Sequence, residues 1–539
     1  MTARIAPWIE GAVLAAIVLA ILACGGEAVR ASYHGCLHAA LGESVLRDGL
    51  VPENPYHAGT PLRYYTLYPL LGAVIGRIGF GPLWAFALLD VLAAVLLAPA
   101  LDALGRALGL SFGGRRAAFV AAVLGFNGLG WIGLVSANGP WSGVPPVYAL
   151  MPMTFALEPF GWDARLQAFL PKFLNVSSYA IALPFALWAL AVCARGTRDY
   201  VRVALALALA LALNPLVGGF AGICAASWIV PDLLRGNGPR RVAWILAFLA
   251  SAALALPFLL PVLPRGPQAE SLTGKVALGG HPASNLVGPN LLLLLLGLAG
   301  LRRLGRPARA RFFAAAAVAA VLVLLGEMPQ GNEYKMSRLS GLLWALPAGA
   351  FAAEAWASGG ARRWGPVLLA LACVPTTLAV PWAYLDWGAH AAELPLAARG
   401  GVLAPRDRAV QPLFEAEARA DPRAVVLLAP SFPGADAGAA LVQGNGLAPA
   451  LHHALFVDVP QIHNDRIPDL AERLRLLEDA CGGDVDALAR ARAMLPSRPF
   501  LAFTDDATPA LADALARAGA ALIARGERCA LWSLPASAR

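Results

Sequence analysis

The sequence predicts a mostly α polytopic membrane protein of about 10–11 membrane segments, followed by a smaller C-terminal α/β soluble domain. Three observations carry this. Of the 539 residues, 58% are hydrophobic and only 14% charged, whereas soluble domains carry about 25% charge. Apolar runs of spanning length alternate with Arg-rich connections, as expected where lipid is the solvent. Charge also divides along the chain. Of 42 basic and 34 acidic residues, only 15 basic but 18 acidic residues lie from His390 onward. The net charge of +8 therefore belongs to the lipid-embedded part, where basic residues orient helices, and nucleic acid is excluded as a partner. The domains expected are 1–388, membrane, containing a first outer loop at 26–81, and 389–539, periplasmic. Three Lys against 39 Arg fit a GC-rich bacterial coding bias.

The first span runs from the N-terminus to Cys24. Later apolar runs cover Pro82–Leu104, Ala117–Val135, Phe173–Ala194, Val203–Val230, Ala243–Leu263, Leu286–Leu301, Phe312–Gly326, Leu339–Ala357 and Pro366–Trp387. Five connections hold clustered arginines: Arg106 with Arg115 and Arg116; Arg195, Arg198 and Arg202; Arg235, Arg240 and Arg241; Arg302 to Arg311; Arg362 and Arg363. The positive-inside rule places all five in the cytoplasm, with a cytoplasmic N-terminus and a periplasmic tail.

Two consequences follow from that orientation. Val203–Val230 has basic connections on both sides, so it should enter and leave on one face, as two half-length helices broken at Asn214–Pro215. Tyr64–Ile78 should dip into or lie on the outer leaflet rather than cross, with its irregular backbone covered by protein. In the tail, Ala424–Leu428, Leu455–Val459 and Phe500–Phe503 read as buried strands. Pro468–Ala480 and Asp486–Met494 read as helices, and Thr508 as an N-cap ahead of Pro509. Cys24, Cys193, Cys224 and Cys373 fall in apolar runs and read as packing residues. Cys481 and Cys529 could pair if the tail is periplasmic, though their spacing alone gives little reason to expect it. His452, His453, His463 and Asp465 read as surface loop residues.

The chemistry-bearing residues concentrate in the outer segments. After the first span come Glu27, Arg30, His34, His38, Glu43, Asp48, Glu53, Tyr56, Arg63, Tyr64 and Tyr65. His34 and His38 share a helix face, but a zinc site needs a third ligand. An interfacial amphipathic helix is thus the plainer reading beside a metal. The aromatics suit a membrane interface or stacking on a sugar face. Lys172 and Lys335 are two of the three lysines and stand where outer loops enter spans. A boundary cation of this kind is a functional candidate, able to hold a lipid-linked phosphate together with Arg63 and Arg338. Asn332 and Glu333 stand where they would orient Lys335. His281 and Lys275 sit in a Gly-rich outer loop that reads as a mobile lid or simply a flexible connection.

One span followed by a long outer loop reading YHxxxHAAxxExxxxxGLxPENPYxxGxPLRYY, and then an apolar helix at the outer face, resembles the GT-C superfamily of polytopic glycosyltransferases. It is most similar to the bacterial branch with a soluble C-terminal tail. Lys172-Phe-Leu-Asn175, Asn214-Pro215 and Asn332-Glu333-Tyr334-Lys335 are further echoes, and the resemblance covers Ile5 to Trp387. It implies an inner-membrane enzyme that moves sugar from a polyprenyl-phosphate donor to a glycan, lipid or protein acceptor on the periplasmic side. The superfamily places an Asp just after the first helix as base or metal ligand. Here the nearest acid is Glu27, with Glu43 further on and His34 as a substitute. The resemblance thus implies catalytic roles for Glu27, His34 and Glu43. It implies substrate contacts for His38, Glu53, Tyr56, Arg63, Tyr64, Tyr65, Lys172, Asn175, Asn332, Glu333, Tyr334, Lys335 and Arg338. No cofactor is certain, and a divalent metal is compatible with these residues. The competing readings are a transporter and a non-catalytic glycan- or lipid-binding protein on a degenerate GT-C scaffold.

Overall fold

The computed structural model describes residues 2–31, 34–129, 169–196, 198–235, 238–263, 275–276, 286–327, 334–393, 410–429, 432, 448, 451–457 and 469–536. The chain forms two compact units, one of Met1–Gly25, Ala87–Leu259 and Pro264–Trp387, the other of Gly26–Phe86, Leu260–Leu263 and Gly388–Arg539.

The first unit is helical and membrane-embedded. Its helices are α1 (Thr2–Cys24), α5 (Pro82–Ala107, which begins in the other unit), α6 (Phe112–Gly125), α7 (Ser178–Arg195), α8 (Tyr200–Leu213), α9 (Pro215–Arg235), α10 (Gly238–Leu259), α11 (Leu291–Gly300), α12 (Arg306–Leu325), α13 (Tyr334–Ser358) and α14 (Trp364–Glu393). Among the described residues, five helices are long and apolar enough to cross a membrane: Arg4–Cys24, Pro82–Ala107, Ser178–Arg195, Pro239–Val262 and Arg306–Leu324. Position follows from exposure. Helix α7 is buried nearly throughout, so it is central, whereas α10 presents Ile245, Leu246 and Leu249 outward, as a lipid-facing helix does.

Small residues let backbones meet where lipid gives no hydrophobic drive to helix association. A Cβ at Gly349 of α13 would overlap the Ala118 backbone of α6, and one at Gly300 of α11 the Pro347 carbonyl of α13. The N-terminal half of the bundle is stapled at one end by Asp102. It accepts from Arg106 Nη2 at 2.5 Å, from Arg115 Nε at 2.7 Å and from Arg116, which also reaches Glu10 of α1 at 2.5 Å. The expected break at Asn214 is present. Helices α8 and α9 pack on each other, and Gly218 lies against the Leu211 backbone too closely for any side chain, so the chain folds back there.

The second unit joins two stretches far apart in sequence. The tail holds a five-stranded sheet in the order β4-β3-β5-β7-β6: β3 (Val425–Leu428), β4 (Ala454–Leu455), β5 (Phe500–Asp505), β6 (Ala521–Arg525) and β7 (Cys529–Leu534). Strand β3 runs parallel to β4 and β5, and β7 antiparallel to β5 and β6. All four residues of β3 are buried, the pattern of a strand covered on both faces. Around it lie α15 (Gln411–Ala418), α16 (Leu470–Cys481), α17 (Val485–Met494) and α18 (Pro509–Arg517). The strands and helices read from the tail sequence are present within a few residues. Strands β6 and β7 are additions the sequence did not signal.

The segment after the first span supplies α2 (Gly26–Ala31), α3 (Gly35–Asp48) and α4 (Leu67–Ile75). It shares the tail's core, with Leu37, Leu41, Tyr56, Ala58 and Leu62 packed among Val425, Leu455, Leu476 and Phe500. Leu455 N donates to Pro55 O at 2.9 Å, and Ala58 N to Leu455 O at 2.7 Å, so residues 55–58 line the β4 edge. Helix α4 and the π turn after it have 9 and 5 residues. At about 1.5 Å per residue this is too short for a hydrocarbon core of about 30 Å. Cys481 and Cys529 are not joined to each other by a disulfide. One expectation is corrected here. His453 is buried rather than a surface loop residue, because its ring is locked between the Glu417 carboxylate and the Asp421 carbonyl.

Candidate active site

Two sets of candidate residues emerge, one in each unit. In the membrane unit a layer of buried polar side chains crosses the helices. The 3-10 turn Leu170–Phe173 leads into α7, which Ser177 caps by accepting from Tyr179 N. That turn buries Lys172, 4% exposed, and Asn175 just beyond it. Asn175 Oδ1 accepts from the Tyr384 hydroxyl of α14 at 2.5 Å. One turn on, Ser178 Oγ accepts from Asn214 Nδ2 at 2.9 Å, while Asn214 Oδ1 takes the Val217 N–H at the start of α9. The Tyr179 hydroxyl reaches the Lys335 carbonyl at 3.4 Å. Ser337 accepts from Asn290 Nδ2 at 3.1 Å, and fully buried Arg338 lies 5.4 Å from the Phe126 ring centroid. Burying so many polar groups within a membrane domain is costly unless they serve each other or a ligand.

Sequence reasoning missed one member of this layer. Asp90 of α5 is 1% exposed, among apolar neighbours. Among the described residues both of its carboxylate oxygens lack a well-formed hydrogen bond. The Ser177 backbone N–H and the Lys172 ammonium both act on it electrostatically. The signal was available, since Asp90 and Asp102 are the acids of the apolar run Pro82–Leu104. Asp102 is paired with its arginines, and among the described residues Asp90 has no such ion pair.

The second set lies in the other unit. Glu27 and His34 are half-buried. His38 is buried at the centre of an aromatic group, its ring centroid 4.8 Å from that of Tyr68, 5.5 Å from Tyr64 and 5.8 Å from Phe86. Tyr64 stacks on Tyr65 at 4.1 Å, and their hydroxyls are 2.7 Å apart. Arg63 is half-buried beside them in sequence. Arg30 covers Trp84 at 4.5 Å. Cys36, fully buried and close to Glu27, has its thiol pushed up to about 12 by burial first and by that carboxylate second. His34 and His38 lie 6.1 Å apart by ring centroid, and among the described residues no group of three His, Cys, Asp or Glu gathers that would hold a metal.

Other candidates are engaged in the fold. Glu43 pairs with Arg77 at 2.7 Å. Glu53 pairs with Arg498 of the tail and accepts from Gly59 N at 2.6 Å. The Tyr56 hydroxyl donates to Cys36 O at 3.3 Å inside the shared core. Asn332, Glu333 and His281 fall outside the described residues, as does the Tyr334 side chain. The Lys275 backbone pairs with Glu327 in a two-residue ladder.

No protein-family model matches this sequence, and no curated protein is similar to it. Solved structures are similar in fold. The arabinofuranosyltransferase AftD from mycobacteria aligns with a TM-score of 0.55 at 16% identity, over 98% of this chain and 40% of that one, so this chain spans less than half of AftD. ArnT from Cupriavidus metallidurans, solved bound to undecaprenyl phosphate, aligns at 0.49 and 13% identity over 96% of this chain and 97% of its own. The Archaeoglobus fulgidus oligosaccharyltransferase, solved with zinc and sulfate, gives 0.45 and 10% over 92% and 67%. With its helical membrane unit, its α/β tail and the likeness to AftD along nearly its whole length, this chain has the GT-C fold of polytopic membrane glycosyltransferases.

Proposed function

We propose that this protein moves a sugar from a polyprenyl-phosphate donor to a glycan, lipid or protein acceptor on the periplasmic side of a bacterial inner membrane. The observation that carries the reading is Lys172, an ammonium buried within the membrane unit, in a fold shared with AftD. Intramembrane cations are expensive and mark substrate paths, and Lys or Arg supplies the point cations that a lipid-linked phosphate needs. Arg338, also buried in this unit, is the second proposed phosphate contact.

The reaction is a direct displacement. The acceptor hydroxyl gives up its proton and its oxygen bonds to the anomeric carbon. The bond from that carbon to the phosphate oxygen breaks, and the electron pair leaves on the polyprenyl phosphate. A cation at that oxygen stabilises the charge that develops. Glu27 and His34 are the proposed groups for taking the acceptor proton, a role typically worth about 10²–10⁴ in rate.

The test is mass spectrometry of polyprenyl-linked sugars and cell-surface glycans after gene deletion. We expect one lipid-linked sugar to accumulate and one glycan to lose that sugar. Complementation with wild type restores both pools, and Lys172→Ala at equal protein level does not. Unchanged pools on deletion overturn the reading. A sugar-lipid that accumulates on the wrong face while the glycan chemistry persists makes the protein a transporter.

A further inference from the structure

Seven arginines meet one carboxylate at the end of the helical unit where α11 joins α12 and α13 joins α14. Arg302, Arg303, Arg306, Arg309 and Arg311 fall in the first connection and the start of α12, and Arg362 and Arg363 in the second. Glu354 is the only acid from residue 300 to 326 and from 340 to 366. Both connections pack on α13. The ion pair of Arg303 with Glu354 ties the first to the last turns of that helix, just ahead of the second. Three of the other arginines are engaged locally. Arg309 Nη2 donates to the Leu304 carbonyl at 3.1 Å, Arg311 Nη1 to the Ala194 carbonyl near the end of α7 at 2.5 Å, and the Arg363 guanidinium lies 5.2 Å from the Trp364 ring centroid. Arg302, Arg306 and Arg362 are exposed, and among the described residues their side chains make no hydrogen bond or ion pair.

The helices that carry these arginines present apolar faces outward. Exposed Leu295 and Leu298 of α11 lie seven and four positions before Arg302, and exposed Phe313 of α12 lies seven positions after Arg306. Spacings of four and seven keep side chains on one helix face. In a membrane unit such faces are covered by acyl chains, and long basic side chains at the helix ends reach the headgroup level. We propose that the connection between α11 and α12 binds an anionic phospholipid, with Arg302 and Arg306 on the headgroup phosphate and the acyl chains along Leu295, Leu298 and Phe313. Charge decides the occupant. With one acid for seven arginines this end is strongly positive, and guanidinium groups take a phosphodiester through paired N–H donors. A zwitterionic lipid brings its own cation to the phosphate; an anionic lipid brings none, and basic clusters at the ends of membrane helices attract it. The inference is independent of the donor reading, which concerns Lys172. A basic rim that only orients the helices has no preference among lipids.

The test titrates the detergent-purified full-length protein with phosphatidylglycerol or phosphatidylcholine and counts retained lipid by native mass spectrometry, with the thermal midpoint as a second reading. Wild type is expected to retain phosphatidylglycerol in preference and to be stabilised by it. One basic residue near anionic lipid contributes about five-fold in affinity. Arg302→Gln combined with Arg306→Gln should therefore bind phosphatidylglycerol on the order of 25-fold more weakly, with phosphatidylcholine unchanged. Glu354→Gln, which releases Arg303, should bind phosphatidylglycerol more tightly. Arg525→Gln, at an exposed arginine of the tail, should behave as wild type. Inorganic phosphate at the same concentration should not displace the lipid, because it has no chains to lie on the apolar faces. No lipid preference in wild type, an unchanged double variant, an equal loss in Arg525→Gln, or displacement by inorganic phosphate each overturns the proposal. If the double variant does not fold, Glu354→Gln carries the test, and unchanged or weaker phosphatidylglycerol binding there overturns it.

Discussion

Glu417 takes more hydrogen bonds than a buried carboxylate usually finds. One oxygen accepts from the backbone N–H groups of His452 and His453, at 2.9 and 3.1 Å, and faces His453 Nδ1 at 2.6 Å; the other faces His452 Nδ1 at 3.2 Å. His453 Nε2 meets the Asp421 carbonyl at 2.8 Å. Both its ring nitrogens thus face acceptors. Burial alone pushes Glu417 up, and the bonds from the two histidines more than reverse it, leaving this carboxyl below its ordinary value. Breaking such a pair from one side strands the other charge, typically at about 3–5 kcal/mol. Glu417→Ala should therefore lower the thermal midpoint of the tail by many degrees, read by tryptophan fluorescence, while Glu415→Ala, an exposed neighbour, leaves it within about a degree. His57 gives the opposite kind of prediction. Burial first, then the Arg473 guanidinium, hold its ring at about 4 against the ordinary 6.5, despite Asp469 at 3.4 Å. The native state stays neutral while the unfolded chain takes a proton below pH 6.5. Stability must then fall as pH drops from about 6.5 to about 4, by on the order of 3 kcal/mol at most. In His57→Gln the slope of thermal midpoint against pH should flatten across that window, whatever its absolute stability. An unchanged slope would assign the acid sensitivity to another group.

Among elements, the hairpin of α8 and α9 follows from charge, because two basic connections on one side forbid a single crossing, and from the Asn214–Pro215 pair in its middle. The structure adds the joint. Asn214 uses its amide nitrogen on Ser178 and its oxygen on the Val217 N–H, and Pro215 opens the next helix where no backbone donor is needed. Asn214→Cys, buried at that joint, should label poorly with thiol reagents from either bulk phase; strong labelling by an impermeant outside reagent would mean a full crossing instead. Asn214→Ala should cost about 1 kcal/mol for the lost cap and remove the hydrogen bond that Ser178 Oγ accepts from it. What was legible at this scale was what repeats over many residues: apolar length, arginine placement, and the buried runs of β3 and β5. Contacts between distant residues were not. Nothing local in PENPYHAG announces that Pro55 and Ala58 will exchange bonds with Leu455, nor that Glu53 will meet Arg498. Asp90 was visible as an acid within a span, but only the fold brings the Ser177 backbone to it. Strand β6 is exposed along most of its length, so it shows none of the burial pattern by which a strand is read.

For the whole molecule, the shared core of residues 26–86 and the tail constrains topology more firmly than charge counting does. Leu37, Tyr56 and Leu62 pack with Val425, Leu455 and Phe500 in one core, and Arg473 Nη1 donates to Ala58 O at 2.7 Å and to Phe456 O at 2.8 Å. Two segments that share a core lie on the same face of the membrane. The chain between them must therefore cross an even number of times. Between them, α5, α7, α10 and α12 are the described helices long and apolar enough to cross, and even parity requires that α4 and the α8–α9 hairpin each return to the side they came from. The short length of α4 and the reversal at Gly218 meet that condition. With α1 crossing between the N-terminus and residue 26, the expectation is that the tail lies opposite the N-terminus, and the Arg-rich connections predict the periplasm for it. A reporter that works only in the periplasm, fused to the C-terminus of the full chain, should be active, and a cytoplasmic reporter at the same point silent. An impermeant lysine reagent cannot decide this, because the tail has no lysine, but a single cysteine placed at exposed Arg528 can: it should label in intact spheroplasts. Activity of the cytoplasmic reporter instead would invert the charge assignment while keeping loop and tail together. Loop and tail reporters on opposite faces would break the shared core itself.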